Sequence, residues 1–260
     1  MFMSVKIKFK TINSPDFEFN SAVFLPDVEN RIGHCAIFTH GYTASKSDTI
    51  SWAQRLSESG IPSVIFDLPG HYLGSINEVS SFELFKSKAH HCFSYAWSYL
   101  QSELSEGYIP ETFILGGHSL GALMSVKALE LETFKSNNSM AIGVGLGIGQ
   151  HKNTHIFESS FYQKTLNIRR QLVCPELDSD NVFPWIKEEK ENIETSNSRV
   201  HLITGADDVV VGAGGMEAFA KKLLDNDNHV TTHEPKKLAH HEPSMASTHI
   251  YHFLKKELAL

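Results

Sequence analysis

The order of apolar and polar positions along the chain predicts strands and helices in alternation. Val5-Lys6-Ile7-Lys8-Phe9-Lys10 alternates apolar with charged residues, the two-residue period of a half-exposed strand. A turn around Asn13, Ser14, Pro15 and Asp16 leads to a second strand, Phe17 to Leu25, closed by Pro26-Asp27, and the pair reads as an antiparallel edge hairpin. His34 to Thr39 and Ile61 to Phe66 are short, nearly continuous apolar runs, as expected of strands buried on both faces. Between them, Ser47-Asp48 offers an N-cap to a helix over Ile50 to Leu56. Phe82, Phe85, Ala89, Phe93, Ala96 and Leu100 recur at steps of three and four and predict one long helix capped by Ser80 or Ser81. A strand over Thr112 to Leu115, a helix over Ala122 to Leu131 and a glycine-rich strand over Ala141 to Ile148 follow. Arg199 to Thr204, Met216 to Leu224, His229 to His233 and Ser247 to Leu258 continue as strand, helix, strand, helix.

This alternation predicts an α/β fold, a mostly parallel sheet with right-handed crossovers and helices on both faces. Residues 150–197 break the rhythm with scattered aromatics and the charged run Lys187-Glu188-Glu189-Lys190-Glu191, which reads as a solvated helix face. The expected organisation is one core, residues 1–149 and 198–260, with 150–197 inserted as a small, partly helical lid. A length of 260 residues suits one such domain.

Composition narrows the function. With 41% hydrophobic and 20% charged residues a sizeable core is expected. A formal net charge of −7 gives no basic footprint for nucleic acid or an anionic membrane surface. Cys35, Cys92 and Cys174 are few, odd in number and far apart, which argues against a disulfide framework and for a reducing compartment. No run of about eighteen apolar residues is present, so no stable membrane insertion is expected and the reading is cytoplasmic. A homodimer is compatible with all of this.

The chemistry centres on Gly117-His118-Ser119-Leu120-Gly121, which stands between a strand and a helix. It fits the G-x-S-x-G turn that pushes a serine hydroxyl out above a sheet, with glycine needed where the neighbouring chain passes closely. A serine is a nucleophile only with a base to take its proton and a carboxylate to orient that base. The acid is sought in Gly205-Ala206-Asp207-Asp208, just past a strand, with Asp208 preferred and Asp207 the alternative. The base is sought in Ala239-His240-His241-Glu242, with His241 preferred and His240 the alternative, since adjacent side chains diverge. An oxyanion hole needs two backbone N–H groups. Leu120 follows the serine, and Tyr42 lies in His40-Gly41-Tyr42, where Gly41 allows a tight turn. Gly41 and His118 are further candidates for contact with substrate. His90-His91 and His240-His241-Glu242 lack metal-ligand spacing, and neither a phosphate-binding loop nor a dinucleotide fingerprint is present, so no metal and no cofactor are expected.

His40-Gly41-Tyr42-Thr43-Ala44-Ser45-Lys46, Phe66-Asp67-Leu68-Pro69-Gly70-His71, the Ser119 pentapeptide, Gly205-x-x-Asp208 and His241-Glu242-Pro243 together resemble the α/β-hydrolase superfamily. Within it, the H-G-x-T-x-x-K stretch is similar to serine carboxylesterases of the cinnamoyl/feruloyl-esterase type. The chain departs from the family at Gly70-His71-Tyr72-Leu73-Gly74-Ser75, where G-H-G-x-S is common, and at the glycine-rich Gly143 to Gly149. The resemblance implies an eight-stranded sheet, Ser119 as nucleophile, Asp208 as acid, His241 as base, Tyr42 and Leu120 as oxyanion donors, and a small-molecule ester as substrate. Phe157, Phe161, Tyr162, Phe183 and Trp185 in the lid suggest an apolar or aromatic group, or only lid packing. Alternative expectations are a thioesterase, a monoacylglycerol lipase or lysophospholipase-like hydrolase, or a weakly catalytic ligand receptor.

Overall fold

The structure, a computed structural model, describes residues 4–135, 138–149 and 160–260, without the side chains of residues 160–163. Eight strands form one sheet in these residues: β1 (Val5–Asn13), β2 (Glu18–Pro26), β3 (His34–Thr39), β4 (Ser63–Phe66), β5 (Thr112–His118), β6 (Ser139–Val144), β7 (Arg199–Ile203) and β8 (His229–His233). Their order is β1-β2-β4-β3-β5-β6-β7-β8. The β1–β2 and β2–β4 pairings are antiparallel, so the hairpin sits at one edge as its alternation implies. From β4 to β8 every pairing is parallel.

Helices cover both faces. On one face α1 (Ile50–Ser57) and α9 (Ala246–Glu257) bury Trp52, Leu56, Ile250 and Leu254 against Phe38, Ile65 and Ile142. On the other, α3 (Cys92–Ser102), α4 (Leu120–Ala128) and α8 (Gly215–Asp225) bury Phe93, Leu123 and Phe219 with Phe66, Phe113 and Leu202. α4 is buried nearly all round, only Lys127 escaping, and so its sequence shows little amphipathic contrast. The single helix expected over Phe82 to Leu100 is two, α2 (Phe82–Lys88) and α3, separated by a 3-10 turn at Ala89–His91. A short α5 (Glu132–Lys135) precedes β6.

Among the described residues between β6 and β7 are the helices α6 (Ser160–Arg169) and α7 (Ser179–Glu191). Trp185 of α7 is buried with its ring 5.8 Å from Phe82 and 5.9 Å from Phe85, and its Nε1 donates to Glu189. It packs the segment onto the core. Phe157 and the side chains of Phe161 and Tyr162 lie outside the described residues. Cys35, Cys92 and Cys174 are free and buried. Among the described residues no helix is long and apolar enough to cross a membrane.

Candidate active site

The carboxyl ends of β3, β5, β6 and β7 meet at one cleft. β5 ends at His118, and Ser119 adopts φ 51°, ψ −110° before α4 begins at Leu120. Such a backbone is costly for a residue with a side chain, and here the surroundings hold it. Ser119 N–H donates to Val144 O on β6 at 2.8 Å, and Leu123 N–H donates to Ser119 O at 3.1 Å. The flanking glycines have steric reasons. A Cβ on Gly117 would lie 2.4 Å from the Gly121 carbonyl carbon, and one on Gly121 would lie 2.4 Å from His40 O.

Past β7, Asp208 is buried and uses both carboxylate oxygens. Oδ1 accepts from Val210 and Val211 N–H, each at 2.9 Å, and Oδ2 faces His240 Nδ1 at 2.8 Å. Asp207 does something else: its Oδ1 accepts from Leu238 N–H at 2.7 Å.

The imidazole on Asp208 is that of His240, where the sequence favoured His241. The register of the loop decides it. Leu238 is buried and pinned by Asp207, and a turn closed by Glu242 N–H to Ala239 O at 3.0 Å sends successive side chains apart. The two imidazole planes lie 87° apart. His241 is exposed at the mouth, and desolvation, helped by His240 and Arg169, lowers its pKa. The Asp208 bond fixes the His240 tautomer, Nδ1 carrying the proton and Nε2 left as an acceptor.

His118 stands behind this pair. Its ring centroid is 4.7 Å from that of His240, and neither of its nitrogens reaches a partner among the described residues. Burial, then the neighbouring His240, His241 and His40, holds its pKa well below the ordinary value, so it is neutral. Gly145 explains part of the glycine-rich run. It has φ +63°, and a Cβ there would lie 3.1 Å from His240 Nδ1 and 3.2 Å from His118 Nε2. Gly145→Ala should therefore displace His240 as well as strain the turn, a backbone cost of about 1 kcal/mol. The expected result is a kcat lowered about tenfold or more with a melting temperature down by a few degrees, read by steady-state kinetics and calorimetry.

The loop after β3 forms the opposite wall. His40 is fully buried, with burial lowering its pKa to about 4. Its Nε2 accepts from Leu68 N–H at 2.9 Å, which leaves Nδ1–H to donate to Gly41 O at 2.8 Å. The imidazole thus joins the ends of β3 and β4. Lys46 donates to the buried Asp67 twice, from its backbone N–H at 2.7 Å and from Nζ at 2.6 Å. This gives the lysine of the H-G-x-T-x-x-K stretch a visible job. A Cβ on Gly41 would lie 3.3 Å from Ser119 Cβ, so the loop carrying Tyr42 runs directly beside the serine. Leu120, first in α4, has an N–H with no acceptor within its helix.

The cleft encloses about 190 Å³. Tyr42, Thr43, His118, Ser119, His240 and His241 line it, with Asp48, Arg169, Phe183 and Val210 among its other walls. Ser119, His118, His240, Gly41 and Tyr42 are thus brought together. Arg169 was not singled out by the sequence, which placed no motif around it, and Asp48 was read there only as part of a helix cap. Among the described residues no three His, Cys, Asp or Glu side chains are grouped to hold a metal.

No family model matches the chain, and no curated protein does. Solved structures do. An esterase of Pyrococcus furiosus superposes with a TM-score of 0.67 at 18% identity, over 97% of this chain and 91% of its own. A fungal esterase of Rhizomucor miehei gives 0.69 at 16% identity, over 98% and 85%. The 2-hydroxy-6-oxo-6-phenylhexa-2,4-dienoate hydrolase of a Rhodococcus strain gives 0.66 at 12%, over 99% and 100%. The chain has the α/β-hydrolase fold. In that fold's terms Ser119 stands at the strand-to-helix elbow, Asp208 follows β7, and His240 follows β8.

Proposed function

We propose that this α/β-hydrolase-fold protein is a serine hydrolase that cleaves carboxylic esters, with Ser119 as nucleophile, His240 as base and Asp208 as the orienting acid. The carrying observation is the 2.8 Å contact between His240 Nδ1 and Asp208 Oδ2, in a cleft that His240 shares with a Ser119 held at φ 51°. Ser119 Oγ attacks the ester carbonyl carbon as His240 Nε2 takes its proton. The carbonyl oxygen becomes an oxyanion facing the Tyr42 and Leu120 N–H groups. His240 then protonates the departing alkoxide, leaving an acyl-enzyme on Ser119 Oγ. A water, giving its proton to His240, attacks that acyl carbon; the bond to Ser119 Oγ then breaks, His240 returns the proton to Oγ, and the acid leaves.

The substrate is small. About 190 Å³ holds a short acyl or a single aryl group, and Phe183, whose ring is 5.3 Å from that of Tyr42, offers it an apolar wall. Structures that share the fold include named esterases, which supports an ester bond as the one cleaved. An aryl-acyl ester, as in the cinnamoyl/feruloyl-esterase type, is the proposed class. His118 and Gly41 border the reacting carbonyl.

The test is turnover of p-nitrophenyl acetate, butyrate and a cinnamate ester by wild type and Ser119→Ala. A loss of about a thousandfold or more is expected on every ester turned over. Equal rates in the two proteins overturn the mechanism. A panel in which an acyl thioester outruns all oxygen esters moves the assignment to a thioesterase.

A further inference from the structure

Thr43 has φ +61°, a conformation that a β-branched side chain avoids. It is the third residue of a four-residue turn, closed by Ala44 N–H donating to Gly41 O at 3.3 Å, and Tyr42 is the second. A left-handed third residue is the place for glycine or asparagine, and threonine does not choose it unaided. What accompanies it comes from the segment between β6 and β7. Arg169, the last residue of α6, donates from Nη1 to Thr43 Oγ1 at 3.1 Å. Tyr42 Oη donates to Leu177 O, in the link between α6 and α7, at 2.7 Å. The side chains of two consecutive turn residues are therefore gripped by the inserted segment. The ends of the loop are gripped by the core, through His40 on Gly41 O and Lys46 on Asp67.

We propose that Arg169 is a positioning residue for the oxyanion loop: by holding Thr43 Oγ1 it keeps the 41–44 turn in the left-handed form that presents Tyr42 N–H beside Ser119. This rests on the serine-hydrolase reading of the same cleft. The inserted segment is then part of the catalytic apparatus as well as a cover for the substrate. Releasing Arg169 lets Thr43 return to negative φ, the turn re-forms, and Tyr42 N–H moves off the oxyanion position. Such a loss is felt where negative charge develops on the carbonyl oxygen, and so it lowers kcat and leaves KM.

The experiment is a double-mutant cycle on an ester that wild type turns over, with Arg169→Met and the isosteric Thr43→Val, which removes the acceptor and keeps the branched shape. Each single change is expected to lower kcat about tenfold or more with KM within about twofold, and the double variant to be no worse than either. Thr43→Gly, which takes positive φ freely, is expected to make kcat nearly indifferent to Arg169→Met. Crystal structures of wild type and Arg169→Met give the second readout, with Thr43 at negative φ in the variant. A raised KM at unchanged kcat overturns the proposal and makes Arg169 a substrate contact. Additive losses in the cycle also overturn it. So does a Thr43 still left-handed in Arg169→Met, whatever the activity. Equal turnover by Ser119→Ala and wild type, with Thr43 released in Arg169→Met, sinks the serine mechanism alone and leaves the Arg169–Thr43 hold standing. If Arg169→Met does not fold, Thr43→Val and Thr43→Gly carry the kinetic comparison.

Discussion

Alanine in place of His240 lowers kcat by about a thousandfold or more, and alanine in place of His241 by less than about tenfold. This is the result expected when one imidazole holds the Asp208 contact and the other stands at the mouth. The asymmetry follows from the tautomer. His240 Nδ1–H donates to Asp208 Oδ2, so Nε2 is the acceptor available to a serine hydroxyl. Among the described residues His241 makes no such bond to a carboxylate. The measurement is kcat and KM for both variants on one ester. Comparable losses, or the larger loss at His241, would return the assignment to the residue that the sequence pattern favoured.

The second large effect is acid lability. His40 and His71 are fully buried, and burial lowers their pKa to about 4 and about 3. Burial also lowers His90 to about 3 and His201 to about 4. In the unfolded chain an imidazole takes its proton near pH 6.5. Below that pH the unfolded state binds protons that the folded state refuses. Stability is therefore complete above about pH 6.5 and is lost as pH falls towards 4. At 1.36 kcal/mol per unit, His40 and His71 each withdraw roughly 2 kcal/mol by pH 5. Two such groups take a large part of a typical stability of about 5–15 kcal/mol. Urea midpoints followed by tryptophan fluorescence from pH 7.5 to 5 should fall steeply, and a flat profile would refute the argument. Fluorescence reads unfolding directly and so keeps this apart from any effect of pH on turnover.

Most of the fold was legible because its period is strong. The β1 alternation marks an edge strand, and the continuous runs of β3 and β4 mark strands covered on both faces. The misread boundaries have local causes. The apolar spacing from Phe82 to Leu100 continues through the 3-10 turn at Ala89–His91, so the pattern does not register the break. β6 stops at Val144, four residues before the apolar run does, because Gly145 turns to positive φ. In the site, the strand–turn–helix setting of Ser119 could be read from spacing alone. The partner of Asp208 could not. Choosing between two adjacent histidines requires the register of a loop, and that register is set by Asp207 on Leu238, a contact across 31 positions. Arg169 left no signal at all. Its job depends on the φ of a residue 126 positions away.

The tether between α1 and the loop before α9 has a bearing on how the molecule is made. Trp52 Nε1 donates to Pro243 O at 2.8 Å across 191 positions of chain. Ser51 Oγ donates to Ser244 O at 3.0 Å, and Ser247 Oγ donates to Ser51 O at 2.9 Å. These bonds hold the stretch just downstream of His240 against the first helix of the core. Loops of that span close late, because their entropy must be met before the contact rewards it. His240 thus reaches its place only when nearly the whole chain has been threaded and packed. On a ribosome, an emerging chain would expose β1 to β7 before His240 and the stretch that tethers it. In refolding from urea, helical signal should return ahead of any turnover of the test ester.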